Sequence, residues 1–225
     1  MKRTKPYGSP VARYSAAKRV RTAPAPAPRR KYSLRGNNPY SAFQKSSGIE
    51  QKNIDDSSAK FGSGVSTWAI TCLNDCAQGT TATTRIGRKI LMKSILVQGS
   101  IVSSTGNFAR ILIVYDRQPN GALPQATDVL TSNTNMAVRN LDNRDRFVIL
   151  ADIFPYDQEE NLSNPSANSG FAYKRFIKCN LETIYNGTLG TIADIMSGSL
   201  LMMTNINGAT ITGESGIQRT RFVDE

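Results

Sequence analysis

Two adjacent acid pairs, Asp55-Asp56 and Glu159-Glu160, and three cysteines, Cys72, Cys76 and Cys179, are the side chains here whose types could support catalysis or metal binding. Neighbouring residues of an extended chain project to opposite sides, so neither acid pair is arranged as a general acid and base. Both read as solvated loop charges. Cys72 and Cys76 stand at a C-x3-C spacing, but only one further thiol exists and the chain has no histidine. A zinc site would then need a carboxylate to complete it, and buried free thiols are the better reading. Three is also an odd number, which argues against a disulfide framework. The absence of histidine removes His-based triads and the His-containing nicking motif of rolling-circle replication enzymes. Neither G-x-x-x-x-G-K-[ST] nor G-x-G-x-x-G occurs, so nucleotide-phosphate cradles lack support. The expectation is a protein that is not an enzyme and uses no cofactor and no metal.

The charge is more informative. The 225 residues carry a net charge of +11, but residues 1–49 hold 12 cations and no acid. These are Lys2, Arg3, Lys5, Arg13, Lys18, Arg19, Arg21, Arg29, Arg30, Lys31, Arg35 and Lys45. Residues 50–225 keep 16 cations against all 17 acids, a net of −1. The sequence therefore divides into a basic arm, 1–49, and a near-neutral body, 50–225. The arm is poor in Leu, Ile, Val and Phe and its charges repel, so it is expected to be disordered in isolation. Its Thr22–Pro28 tract, TAPAPAP, reads as an extended spacer between Lys18-Arg19-Val20-Arg21 and Arg29-Arg30-Lys31.

Tyr7, Tyr14, Tyr32, Tyr40 and Phe43 are interleaved with the arm's cations. Cations that displace counterions from phosphates, with rings that stack on unpaired bases, are the two components of sequence-tolerant single-strand binding. A plain solubilising tail is the bland alternative. An amphipathic membrane helix is disfavoured by the prolines and the near absence of large aliphatic residues. The two basic clusters also suit recognition by nuclear import receptors. No apolar run approaches the roughly 20 residues of a membrane span. The N-terminus lacks the apolar stretch of a secretory signal, so the chain reads as soluble with no membrane partner.

The elements that must carry this arm come from the body. From about residue 60, β-branched and apolar runs alternate with Gly, Asn, Pro and Ser. Eight strands are expected, at Val65–Leu73, Ile90–Val102, Phe108–Asp116, Asp145–Phe154, Phe171–Lys178, Leu181–Tyr185, Gly198–Asn205 and Gln218–Val223. The fifth and sixth are nearly contiguous and read equally as one bent strand. Along the second, Leu91, Ile95, Val97 and Ile101 recur on one face, with Lys93 the exception. The runs Ile111–Val114 and Phe147–Leu150 lack alternation, as in strands covered on both faces. Thr127–Leu130 is expected to form one short helical turn. The pattern indicates an all-β antiparallel sandwich or barrel, a jelly roll among the options.

The 28-residue stretch Arg117–Arg144 has little strand pattern, and a loop that long is expected to serve as a contact surface in an assembly. Arg144-Asp145-Arg146 is placed to pair with Asp116 or Arg117, within a subunit or between subunits. Arg85, Arg88 and Lys89 form the tightest basic cluster of the body and are its candidates for phosphate contact, the plainer reading being a solvated strand entry. Lys174 and Lys178 share a strand face, which is read as facing solvent.

In order along the chain stand Arg85-Ile-Gly-Arg-Lys-Ile-Leu-Met-Lys-Ser-Ile, Tyr115-Asp-Arg-Gln-Pro-Asn-Gly, Asn143-Arg-Asp-Arg-Phe, Lys174-Arg-Phe-Ile-Lys and Ile184-Tyr-Asn-Gly. This succession, over about residues 85–190, resembles the coat proteins of geminiviruses and related small circular single-stranded DNA viruses. The layout is also similar to the coat proteins of small satellite RNA plant viruses. The resemblance implies an eight-stranded antiparallel jelly roll that self-assembles into a small T=1 icosahedral capsid around single-stranded DNA in the host nucleus and the virion. It implies a nuclear-localisation role for Lys18, Arg19, Arg21, Arg29, Arg30 and Lys31, and no enzymatic activity. The Cys/His pattern proposed for some members cannot be completed here without histidine. The competing expectation is a single-strand-binding or movement-type protein that coats nucleic acid without closing a shell.

Overall fold

The computed structural model describes residues 50–57, 61–63, 67–103, 109–155, 169–206 and 211–225. The expected arm, the turns at 105–107 and 207–208 and the acid pair at 159–160 lie outside them. Ten strands form: β1 (Lys52–Asp56), β2 (Gly62–Ser63), β3 (Ala69–Cys72), β4 (Lys89–Ser103), β5 (Ala109–Asp116), β6 (Phe147–Ile153), β7 (Ser169–Tyr185), β8 (Ile195–Ser197), β9 (Ser199–Ile206) and β10 (Ile211–Asp224). A single helical turn, α1 (Ala126–Val129), falls one residue before its expected place.

Setting aside the short strands β2 and β8, the two sheets run β1-β10-β4-β7 and β3-β9-β5-β6. The first and last strands are neighbours, and each connection except that from β5 to β6 passes from one sheet to the other. This is the order of an antiparallel jelly roll, with eight principal strands. The eight differ from those expected in two compensating ways. The fifth and sixth candidates are one bent strand, β7, and the polar segment KNIDD supplies β1 instead, by pairing along β10 from Lys52↔Phe222 to Asp56↔Gln218. The last strand begins at Ile211, well before the expected Gln218, because its Gly-containing half is held by pairing with β4.

The bend in β7 and the Lys93 exception have one cause. On β7 the register jumps from Met92↔Leu181 to Ser94↔Lys178, and on β10 it shifts between Arg221 and Phe222. Lys93 is the bulged residue. A one-residue bulge switches which side chains face the core, so Ile90 and Met92 are buried before it and Ile95, Val97 and Ile101 after it. Leu91, expected on the core face, is half-exposed for this reason. Where β9 begins, Gly198 has φ +78°, and a Cβ there would collide with the Glu182 carbonyl of β7. Only glycine fits that corner.

The β3-β9-β5-β6 sheet is covered on both sides at its centre: every residue of β5 and β9 is buried. Tyr115 faces the other sheet and donates its hydroxyl to the Glu182 carbonyl at 2.6 Å. The opposite face, with Arg110, Leu112, Val114 and Asp116, is covered by the long connection between β5 and β6, whose Val129, Leu130 and Ala137 join the core. Two buried ion pairs secure that cover. Arg110 holds Asp152 with both ends of its fork (2.9 and 2.7 Å) and donates to the carbonyls of Asn135 and Ala137, each at 2.7 Å. Arg146 holds Asp116 at 2.9 and 2.8 Å and lies over the Phe147 ring. The Arg146–Asp116 pair expected from the sequence thus forms within one chain. β6 departs from expectation: Phe147 is buried, but Val148, Ile149 and Leu150 are half-buried, because β6 is the edge strand of its sheet.

Replacing Arg110 by Met should leave Asp152 and two carbonyls without their donor, and an unpaired buried acceptor costs about 1–3 kcal/mol. The expected loss of unfolding free energy is about 2–4 kcal/mol by urea titration followed by circular dichroism. Leu141→Ser, at an exposed position of the same connection, should change it by less than about 0.5 kcal/mol. Equal effects would show that Arg110 does not hold the connection down.

Candidate nucleic-acid interface

The eleven arm residues expected to bind nucleic acid, Lys2 through Arg35, lie outside the described residues, as does Lys45. Within the body the expected cluster is Arg85, Arg88 and Lys89, at the end of the 73–88 loop and the start of β4. The structure separates the three.

Arg85 is fully buried. Its guanidinium donates to the carbonyls of Cys76 (3.0 Å), Gly87 (2.6 Å) and Gly187, and its plane lies 4.1 Å above the Tyr185 ring centroid. Its backbone also bonds the loop, N–H to the Ala77 carbonyl and C=O to the Gly79 N–H. A planar fork with five donors suits such a ring of carbonyls. Arg85 therefore ties the 76–87 loop to the 185–187 turn, and the expectation of a phosphate contact by its side chain is corrected: no face of it reaches solvent. Lys89 spans Glu182 (2.7 Å) and Glu225 (3.0 Å), and these two carboxylates raise its pKa above the ordinary lysine value. Arg88 is exposed and uses Nε on the Tyr185 carbonyl at 3.1 Å. Of the cluster, Arg88 retains unengaged guanidinium donors on the surface, and it remains the candidate for phosphate contact there.

Sequence reasoning missed three buried cations. Lys52 is held by Asp224 and the Thr84 carbonyl, both at 3.0 Å. Arg110 sits inside an apolar run, and Arg139 donates to the carbonyls of Arg144 and Phe147. An arginine within a strand of otherwise apolar residues is the one signal that pointed to Arg110. Lys174, Arg175 and Lys178 of β7 are all exposed, as is Phe176 between them.

The other candidate chemistry is placed apart. Asp55 faces outward and pairs with Arg219, whose guanidinium lowers the Asp55 pKa, whereas Asp56 lies in register with Gln218 on the opposite face. Burial pushes the Cys72 thiol up to about 12, and Cys76 and Cys179 are raised by the same cause. Among the described residues, no three Cys, Asp or Glu side chains gather around a common point.

Arg85→Ala should lower unfolding free energy by roughly 3–5 kcal/mol, since three carbonyls lose a charged donor, while Arg88→Ala should leave it nearly unchanged. Urea titration of both variants checks this, and a stable Arg85→Ala chain would contradict the clamp. The thiols predict a pH dependence. The folded chain keeps Cys72 protonated and the unfolded chain ionises it near 9.0, so this contribution to stability is present at neutral pH and falls as pH rises beyond about 9. A chromogenic disulfide reagent at pH 8 should modify Cys72 and Cys76 only after denaturant is added, because the thiolate is the reacting form. Modification of Cys72 in the folded chain at the rate of a free thiol would contradict its burial.

Comparison with known proteins adds three observations. The model of the Geminivirus coat protein/nuclear export factor BR1 family matches residues 2–221. The protein named Capsid protein of Tomato yellow leaf curl Sardinia virus is 26% identical over 132 residues, covering 53% of this chain and 50% of that one. The proteins of the same name from its isolates Spain-1 and Spain-2 match to the same extent. The match spans about half the length of these curated relatives.

Proposed function

The chain belongs to the geminivirus coat protein family, and from that premise we propose that it is a viral capsid protein. In this reading the jelly-roll body assembles into a small icosahedral shell, and the arm, 1–49, packages single-stranded nucleic acid, circular single-stranded DNA, without enzymatic activity. The observation that carries it is the division of charge: 12 cations and no acid in the arm against a body of net −1. In a closed symmetric shell such arms converge, and their mutual repulsion is relieved by an enclosed polyanion. The interleaved Tyr7, Tyr14, Tyr32, Tyr40 and Phe43 supply faces for unpaired bases.

The body's part is subunit contact. Met136, Val138 and Leu141 are each about two-thirds exposed on the connection between β5 and β6, and apolar side chains presented together at a surface favour a protein partner. A second copy of the chain is that partner here. Lys18–Arg21 and Arg29–Lys31 recruit nuclear import receptors, so the protein works in the host nucleus and in the virion.

Deleting residues 1–49 should abolish packaging while leaving the body folded, because all ten strands lie downstream. The full-length chain should bind single-stranded DNA with an affinity that falls steeply with salt, about 0.7 of a power per phosphate neutralised. The check is the ratio of ultraviolet absorbance of nucleic acid to protein in purified material, with circular dichroism for the fold. A folded truncation that retains nucleic acid at the full-length level would contradict the assignment to the arm.

A further inference from the structure

The two sheets differ in what lies on their outer faces. The β3-β9-β5-β6 sheet is closed over by the 117–146 connection. The β1-β10-β4-β7 sheet has no such cover among the described residues: Ala172, Lys174, Phe176 and Lys178 of β7, Ser100 of β4, and Ser215 and Arg221 of β10 are all exposed on that side. Strand register sets these residues in rows. Lys178 shares one cross-strand row with Arg221, through Ser94. Phe176 shares the next with Arg219, through Leu96, and Lys174 shares the third with Ile217, through Gln98. Within these rows the one carboxylate is Asp55, and Arg219 engages it at 2.7 and 2.6 Å.

Phe176 is 60% exposed, an unusual position for a phenylalanine in the middle of a 17-residue strand. It stands about 7 Å along β7 from Lys174 on one side and from Lys178 on the other. Arg221 lies two strands from Lys178, about 10 Å away. Beside Lys174, among Gln98, Gly99, Ser100, Ser215 and Ile217, is a shallow depression of about 440 Å³. An upright ring flanked by cations, on a flat polar sheet, combines a stacking platform with charges spaced along a track. Those are the parts a single strand needs and a folded protein partner does not.

The geometry points to this sheet face as a second single-stranded nucleic-acid site, distinct from the arm: a base stacks on Phe176 and the flanking phosphates are held by Lys174, Lys178 and Arg221. The inference rests on the packaging function proposed above and adds to it a defined contact surface on the body. The arm supplies neutralisation without a fixed geometry, and the sheet supplies a rigid register for a few nucleotides. In a shell, this face is then turned toward the genome.

The test uses the full-length chain and a 15-nucleotide oligothymidylate carrying one 5-iodouracil, titrated by fluorescence anisotropy over a salt series and then photo-crosslinked. The cross-link should map to the 174–178 peptide. Phe176→Ala and Phe176→Leu should each weaken binding on the order of 5- to 150-fold, the worth of one stacked base, while Phe176→Trp should bind at least as well as the native chain. Lys174→Gln with Lys178→Gln should lower the salt slope by about 1.4, at about 0.7 per phosphate. Circular dichroism checks that the variants fold, which the exposure of all three side chains favours. If the native chain binds but Phe176→Ala and the double variant bind equally well with the native salt slope, the sheet-face site is overturned and the arm reading stands. If the native chain does not bind the oligonucleotide, both fall. If Phe176→Ala changes sedimentation of assembled particles but not oligonucleotide affinity, the ring is a contact between copies and the site is likewise overturned.

Discussion

The Arg110 guanidinium, buried between Asp152 and the carbonyls of Asn135 and Ala137, fixes the long connection onto the outer face of β5 and β9. That face carries Leu112, Val114, Leu201 and Met203, all fully buried. Without a cover they would be exposed, at about 1.5–3 kcal/mol for each large apolar side chain. The connection supplies the cover, and the Arg146–Asp116 pair anchors its other end beside β6. Both cations cost desolvation. Both are bidentate and hydrogen-bonded, the condition under which buried pairs hold a geometry in place.

The consequence is an asymmetric sandwich. One sheet is sealed on both sides and presents the connection's apolar side chains, Met136, Val138 and Leu141, to its surroundings. The other presents its bare, lysine-bearing face. Since residues 50–225 are close to neutral overall, this basic face reflects placement of charges rather than their excess: Lys52, Arg85 and Arg110 are drawn inside, and carboxylates hold Lys89, Arg146 and Arg219. A body with one face for protein and one for phosphate suits a shell subunit, and the basic arm, 1–49, adds to the second of these roles.

Much of this was legible in the sequence. The unbroken run Ile111–Val114 marked a strand buried on both sides, the Arg146–Asp116 pair followed from charged residues at strand ends, and the proximity of 171–178 and 181–185 allowed one bent strand. What was hidden depended on pairing rather than on propensity. β1 is made of KNIDD, whose composition carries no strand signal, and exists because β10 offers it an edge. The Lys93 bulge moved the buried set from Leu91 to Ile90 and Met92, which no period-2 reading crosses. Arg85 misled for a related reason: an arginine bound by backbone carbonyls has the same one-letter signature as one bound to phosphate. Conversely, Lys174 and Lys178 were recognised as sharing a face, but only register brought Arg221 across the sheet to join them.

The central claim is that the two sheets have opposite roles, and electron cryo-microscopy of particles assembled from the full-length chain with single-stranded DNA tests it most directly. The account predicts a shell in which the β1-β10-β4-β7 sheet faces the interior, with density for nucleic acid against Phe176, and the 117–146 connection lies at contacts between copies. A shell with the connection turned toward the genome and the Phe176 face on the outside would contradict it.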